Sequence, residues 1–178
     1  MHRLGRGFGG ASHLWSHVGM RSAAIICMLT VVPGSAVLAS PPSAVRQALL
    51  GIIAGKLDPK PFSVTYDDLH GLWGGLTLTI HGDGKVEQTA VRVAAGTPRP
   101  ASREGVLTLV RLLLKEEAWA QRESERAPRP DESRARLVIR YGTYTTQIWE
   151  WYNDLIQNQR IVKIRELMKR IAWTKGKS

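Results

Sequence analysis

One cysteine, Cys27, stands in 178 residues, so neither a disulfide framework nor a cysteine zinc cluster can be built. Phenylalanine occurs twice and histidine five times. Acid is in deficit too: 15 Asp and Glu face 25 Lys and Arg, a formal net charge of +10. The sequence has no H-E-x-x-H, no G-x-S-x-G, no phosphate loop and no dinucleotide fingerprint, which removes the chemistries that short motifs announce. No apolar run reaches the roughly 20 residues of a membrane-spanning helix. What is left, 43% hydrophobic and 22% charged residues, is a globular composition rather than a disordered one. Its length suits one domain with an appendage.

The appendage is N-terminal. Arg3, Arg6 and Arg21 stand without any acid ahead of the apolar run Ala23 to Val32, and the small-residue stretch Pro33 to Ser40 follows. A basic end, an apolar core of roughly 7–15 residues and a small-residue cleavage site make up a secretory signal. Val37 and Ala39 suit the positions three and one before a cut, so residues 1–39 are expected to be a signal peptide and the mature chain to begin at Ser40, exported to the periplasm or beyond. Met20 opens a compact signal by itself, which marks it as an alternative start. Ile26 before Cys27 is too large for a lipid-attachment site, so Cys27 leaves with the leader. His70 and His81 are then the histidines that remain.

Along the mature chain the periodicity changes from helical to strand-like and back. Residues 40–60 are read as an N-terminal helix and linker, with Leu49, Leu50, Ile52 and Ile53 at helical spacing between Ser43 and Leu57 and Gly55 as the stop. Phe62 to Tyr66, Leu76 to Ile80 and Lys85 to Val93 are strands, the last two joined through Asp83-Gly84, a dipeptide that accepts the positive φ of a tight hairpin. Gly71, Gly74 and Gly75 around Trp73 predict a bent entry to that hairpin. Ser102 caps a helix predicted to run to about Trp119 on the apolar face of Val106, Leu109, Val110, Leu113 and Leu114. Residues 121–133 (QRESERAPRPDES) have almost nothing to bury and are read as a surface connector. Leu137 to Tyr141 and Tyr144 to Tyr152 form a second hairpin around Gly142, and residues 160–173 a basic amphipathic helix. The expected fold is α+β: over residues 61–178, an antiparallel sheet of four to five strands with two to three helices on one face, in a pseudo-duplicated ββα arrangement.

Two groups of residues invite a functional reading. His70 and His81 lie near Asp67, Asp68 and Asp83, the residue types of a metal site or general base; their places beside turns favour backbone duty instead. No catalytic, cofactor or metal site is expected, and an enzyme is the less favoured class. The second group is aromatic and basic. Trp149 and Trp151 are two apart and so share one strand face, with Tyr144 on the same strand. Burial of the two tryptophans as ordinary core is favoured over exposure. Arg160, Lys163, Arg165, Lys169, Arg170, Lys175 and Lys177 face the single Glu166 in residues 159–178, which places most of the basicity at the C-terminus. Tyr144, Trp149, Trp151, Arg160, Lys163, Lys169 and Arg170 are therefore the candidate partner-binding residues.

Gly74-Gly75 ahead of a strand, Asp83-Gly84 before Val86, the helix at Leu107 to Leu114 and Pro130-Asp131 leading into Leu137-Val138-Ile139 together resemble the emfourin-like proteinaceous inhibitors of thermolysin-type metalloproteases. The pattern is similar to that of other small bacterial secreted domains as well. The resemblance spans roughly Gly74 to Tyr152 and implies a non-enzymatic domain whose partner is another protein, a protease in the most concrete case. The alternative expectation is an envelope-surface module whose C-terminal helix meets an anionic membrane surface or envelope polymer. Nucleic acid is not an expected partner, because no recognised binding motif occurs.

Overall fold

The structure is a computed structural model that describes residues 42–70, 72–120, 124, 126, 127 and 129–173. The expected signal peptide, its cleavage site, Gly71 and the C-terminal Lys175 and Lys177 lie outside the described residues. Alternation decides which way the sheet faces. In β1 (Phe62–Asp67), Phe62, Val64 and Tyr66 are buried while Ser63, Thr65 and Asp67 are half-buried. β2 (Gly75–His81) repeats the pattern with Leu76, Leu78 and Ile80 inward. β3 (Val86–Val91), β4 (Arg134–Tyr141) and β5 (Tyr144–Trp151) complete a five-stranded sheet in the order β3-β2-β1-β4-β5. Every neighbouring pair is antiparallel.

The inward side chains of β1, β2 and β4 form one core with α1 (Pro42–Ile53), α2 (Arg103–Lys115) and α4 (Gln159–Trp173). Each helix supplies a stripe: Val45, Leu49 and Ile52 from α1, Val106, Leu109, Val110 and Leu113 from α2, Ile161, Ile164 and Met168 from α4. This is the expected α+β class, an antiparallel sheet with helices on one face. No helix among the described residues is long and apolar enough to cross a membrane.

The ends of the elements depart from the sequence reading for local reasons. α1 stops at Ile53, and Gly55 at φ +69° carries the chain out of the helix. α2 stops at Lys115 rather than near Trp119, because Glu117 takes a left-handed φ of +46° after the Glu116 cap; a 3₁₀ turn over Ala118–Ala120 follows. At its start Ser102 behaves as read, its hydroxyl accepting from the Gly105 N–H at 3.0 Å. A short helix, α3 (Tyr152–Leu155), has no counterpart in the sequence reading. The strand–turn–strand–helix order does recur, as β2-β3-α2 and β4-β5-α4. The two hairpins, however, extend from β1 in opposite directions, so with both helices on one face no rotation superposes them.

Close backbone approaches hold the hairpin ends. A Cβ on Gly82 would lie 1.6 Å from the Pro59 carbonyl oxygen, and the Gly82 N–H donates to Phe62 O at 2.8 Å. Gly82→Ala is therefore expected to destabilise the protein by about 1–3 kcal/mol or more through forced backbone displacement, measured as a drop in the urea midpoint. Gly142 has φ +56° and open space around it, so Gly142→Ala should cost only about 1–2 kcal/mol of conformational strain.

Candidate functional site

Antiparallel pairing in this order brings the end of β1, the start of β2, the end of β3, the start of β4 and the end of β5 to one edge of the sheet. α4 passes that edge, and a cleft of about 410 Å³ opens there. Its floor is a hydrogen-bonded bend. The Tyr66 hydroxyl donates to Asp68 Oδ2 at 2.6 Å, and the Leu76 N–H donates to Asp68 Oδ1 at 2.7 Å. Burial, reinforced by the Asp68 carboxylate, pushes the Tyr66 hydroxyl above its ordinary pKa, so it remains a donor. Arg165 lies across this floor, its guanidinium carbon 5.9 Å from the Tyr66 ring centroid. Lys169, one helical turn further, also lines the cleft.

Above the cleft stands an apolar tip held by hydrogen bonds. His70 and Gly74 exchange backbone hydrogen bonds at 2.9 Å in both directions, and His70 Nδ1 accepts from the N–H groups of Leu72 and Trp73, both at 3.1 Å. Gly74, at φ +83°, fits against Val91 O where a Cβ would lie 2.0 Å away. The Arg92 guanidinium donates to the Leu72 carbonyl. Backbone groups of this short loop are thus tied on both flanks while its side chains point to water: Trp73 is 70% exposed and Leu72 60%. Leu69, Val91 and Val93 are exposed too, and Val93 lines the cleft with Trp73.

The histidine and carboxylate group of the sequence is divided by this arrangement. Asp67, Asp68 and His70 are at the cleft end, whereas His81 and Asp83 are at the other end of β2, roughly 20 Å away at strand spacing. Asp68 and His70 use their acceptor atoms on the loop, Asp67 pairs with Arg136 at 2.7 Å, and Asp83 accepts from the Lys85 N–H at 2.9 Å. Among the described residues no three His, Cys, Asp or Glu form a group that could hold a metal.

The aromatic and basic candidates do not share one surface. Trp149 and Trp151 do share a strand face, but it is the face opposite the helices, so they are not part of the helix-covered core. They pack edge to face at 5.4 Å with the Arg134 guanidinium over both rings. Trp151 is 8% exposed and Trp149 half-buried. Tyr144 is at the far end of β5. On α4, Arg160 and Arg170 are exposed, Lys163 pairs with Glu116 at 3.2 Å and Lys169 with Glu166 at 3.4 Å. Of these candidates only Lys169 lines the cleft. The sequence reading did not single out the exposed tip residues Leu72 and Trp73; two large apolar side chains inside a glycine-rich turn were the available signal.

The connector, read as having almost nothing to bury, does run at the surface, but its described residues also cover Trp151. Ser124 Oγ accepts from the Trp151 N–H at 2.9 Å and donates to Asp154 Oδ2 at 3.0 Å. The Trp151 indole N–H donates to Arg126 O at 2.8 Å. Arg126 forks onto both oxygens of Glu132 at 2.8 and 2.7 Å and reaches Asp154. The Glu132 side chain is 2% exposed and also accepts from the Arg129 and Asn153 N–H groups. A charged loop can pack when each charge has a partner. No protein-family model matches the chain, and no curated protein and no solved structure is similar to it.

Two buried carboxylates should titrate with opposite effect. Arg126, opposed by burial and helped by the two N–H groups, holds Glu132 down at about 2. Its contribution to stability is thus present above the ordinary carboxylate pKa and lost as pH falls toward 2. Glu132→Gln should flatten that part of a stability-versus-pH curve measured by urea unfolding. Glu150 is 7% exposed, with Oε1 on Asn158 Nδ2 at 2.8 Å and Oε2 buried without a hydrogen-bond partner among the described residues. Burial pushes its carboxyl up, so its ionisation weakens the fold as pH rises through that raised value. Glu150→Gln is expected to raise the thermal midpoint at pH 7 by about 2–5 °C, with the gain shrinking below the unfolded carboxyl pKa.

Proposed function

We propose that this chain is an exported, non-enzymatic domain that binds another protein, in its most concrete form an inhibitor-like module for a secreted protease. The observation that carries the reading is the Leu72–Trp73 tip. Large apolar side chains held outward on a tied loop lose little conformational freedom on docking, and a tryptophan supplies extensive contact area. Leu69 is exposed nearby in the same segment, and Val93, also exposed, lines the cleft with Trp73, so the tip is not a lone exposed residue. The sequence resemblance to emfourin-like inhibitors points to the same class of partner. Export rests on the layout of residues 1–39.

The rival reading places an anionic lipid surface or envelope polymer on α4, where Arg160 and Arg170 are exposed. It has less to use, because the apolar stripe of that helix lies in the core and cannot enter a bilayer. Salt separates the two: attraction to an anionic surface collapses as ionic strength rises, while a packed apolar contact weakens modestly.

The test is inhibition of, and binding to, a thermolysin-type metalloprotease by the purified protein. Wild type should inhibit, and Trp73→Ala should weaken the inhibition by about 10-fold or more, the loss of a hot-spot aromatic, with an unchanged thermal midpoint. Equal inhibition by Trp73→Ala would remove the tip from the function. Absence of binding to any secreted protease, together with salt-sensitive adsorption to anionic vesicles, would transfer the role to α4.

A further inference from the structure

The cleft beside the tip has a chemistry of its own, and it does not depend on the protein-docking reading. Arg165 is 18% exposed at its side chain and lines the cavity. Its guanidinium meets the Tyr66 hydroxyl, and among the described residues the one carboxylate bonded to it is Glu166, met through Nε at 3.1 Å, which leaves the terminal amino groups without a carboxylate. Lys169 stands one turn along the same helix face, held by that same half-exposed Glu166. An exposed ion pair of this kind contributes little, so an incoming anion can take the lysine over. Two cations on one wall, one of them mostly buried, make a place for an oxyanion.

The acids around the cleft do not cancel this wall equally. Asp68 is engaged by the Tyr66 hydroxyl and the Leu76 N–H, and Glu132 by Arg126 and two backbone donors. Asp131 is exposed on the facing side. A dianion such as phosphate would meet more repulsion from Asp131 than a singly charged carboxylate would. The remaining surface is aromatic. The Trp173 indole is fixed through its N–H to Gln88 Oε1 at 2.7 Å and backs onto Gly96, and Tyr152 and Trp73 complete the walls. A cavity of about 410 Å³ falls in the size range of sites that enclose a small ligand, typically about 300–1,000 Å³.

We infer that this cleft binds a carboxylate attached to an aromatic or branched apolar group, with Arg165 and Lys169 on the carboxylate and Trp173 and Tyr152 on the apolar body. Two sources supply that chemistry: the C-terminal residue of a peptide, and a free aromatic carboxylic acid.

The experiment is a calorimetric titration of the full chain with N-acetyl-phenylalanine, N-acetyl-phenylalanine amide, the peptide Ala-Ala-Ala-Phe with free and amidated C-termini, phenylpropionic acid, and inorganic phosphate. The free acids should bind at least 10-fold more tightly than the amides, and phosphate more weakly than either acid. Ala-Ala-Ala-Phe binding more tightly than phenylpropionic acid identifies a chain terminus as the source; the reverse order identifies the free acid. Arg165→Gln should weaken the acids about 10-fold. Because Arg165 packs on Tyr66, Lys169→Met provides a second variant outside the core, expected to weaken them about 3-fold at an unchanged thermal midpoint. Acids and amides binding alike, phosphate binding as tightly as the acids, no measurable binding of any acid, or an unaffected Lys169→Met variant would each overturn the inference. Protease inhibition by the same variants is read separately, so failure of this site leaves the tip reading standing.

Discussion

The pleat of β1 is the constraint on which everything else rests. It is the central strand, paired on both sides, with Phe62, Val64 and Tyr66 toward the helices and Ser63, Thr65 and Asp67 away from them. A slip of one residue in either pairing would exchange those sets and place three polar side chains in the core. Register is fixed in turn from the polar face, by the Thr65–Thr79 hydroxyl contact at 2.9 Å and the Thr77 hydroxyl on Asp67 at 2.8 Å. The same alternation ends in Tyr66, the last inward residue of β1, which carries the core up to Asp68, a lining residue of the cleft, and donates a hydrogen bond from its hydroxyl to that carboxylate.

Cleft and tip follow from where antiparallel strands end. Five termini meet at one edge, and each supplies short loop segments rather than regular structure. Backbone groups in such segments need partners, and here the partners are side chains: Asp68 for the start of β2, His70 for the tip, Glu132 for the connector and the start of α3. Polar side chains near the cleft are thereby assigned to backbone duty, and the groups left to meet a ligand are the cations of α4, the aromatic walls and the exposed tip.

Much of the secondary structure was legible because periodicity is a local property. Alternation in Leu76 to Ile80 and helical spacing in Val106 to Leu114 follow from which face meets the core, and Ser102, Gly55 and Asp83-Gly84 act through their own dihedrals and hydrogen bonds. The connector was not legible. Its docking against the sheet depends on Arg126 meeting Glu132 and Asp154, and on Ser124 reaching the Trp151 N–H, pairings across as many as 30 positions in the chain. Composition reports such a stretch as solvated because it cannot register that the charges neutralise one another. Trp149 and Trp151 were likewise placed on one face by their spacing, but spacing does not say which face the helices cover.

By itself the sequence determined the α+β class, the five strands, the courses of α1, α2 and α4, and the turns and cap at Gly55, Asp83-Gly84 and Ser102, because each depends on residues close together in the chain. Only the tertiary structure decided that Asp68, Arg165, Lys169 and Trp173 converge on one cleft, that His70 supports a loop, and that Leu72 and Trp73 stand outward beside it. Those facts depend on strand order and on the path of α4 past the sheet edge. They arise from packing between segments up to about a hundred residues apart, for which no local pattern exists.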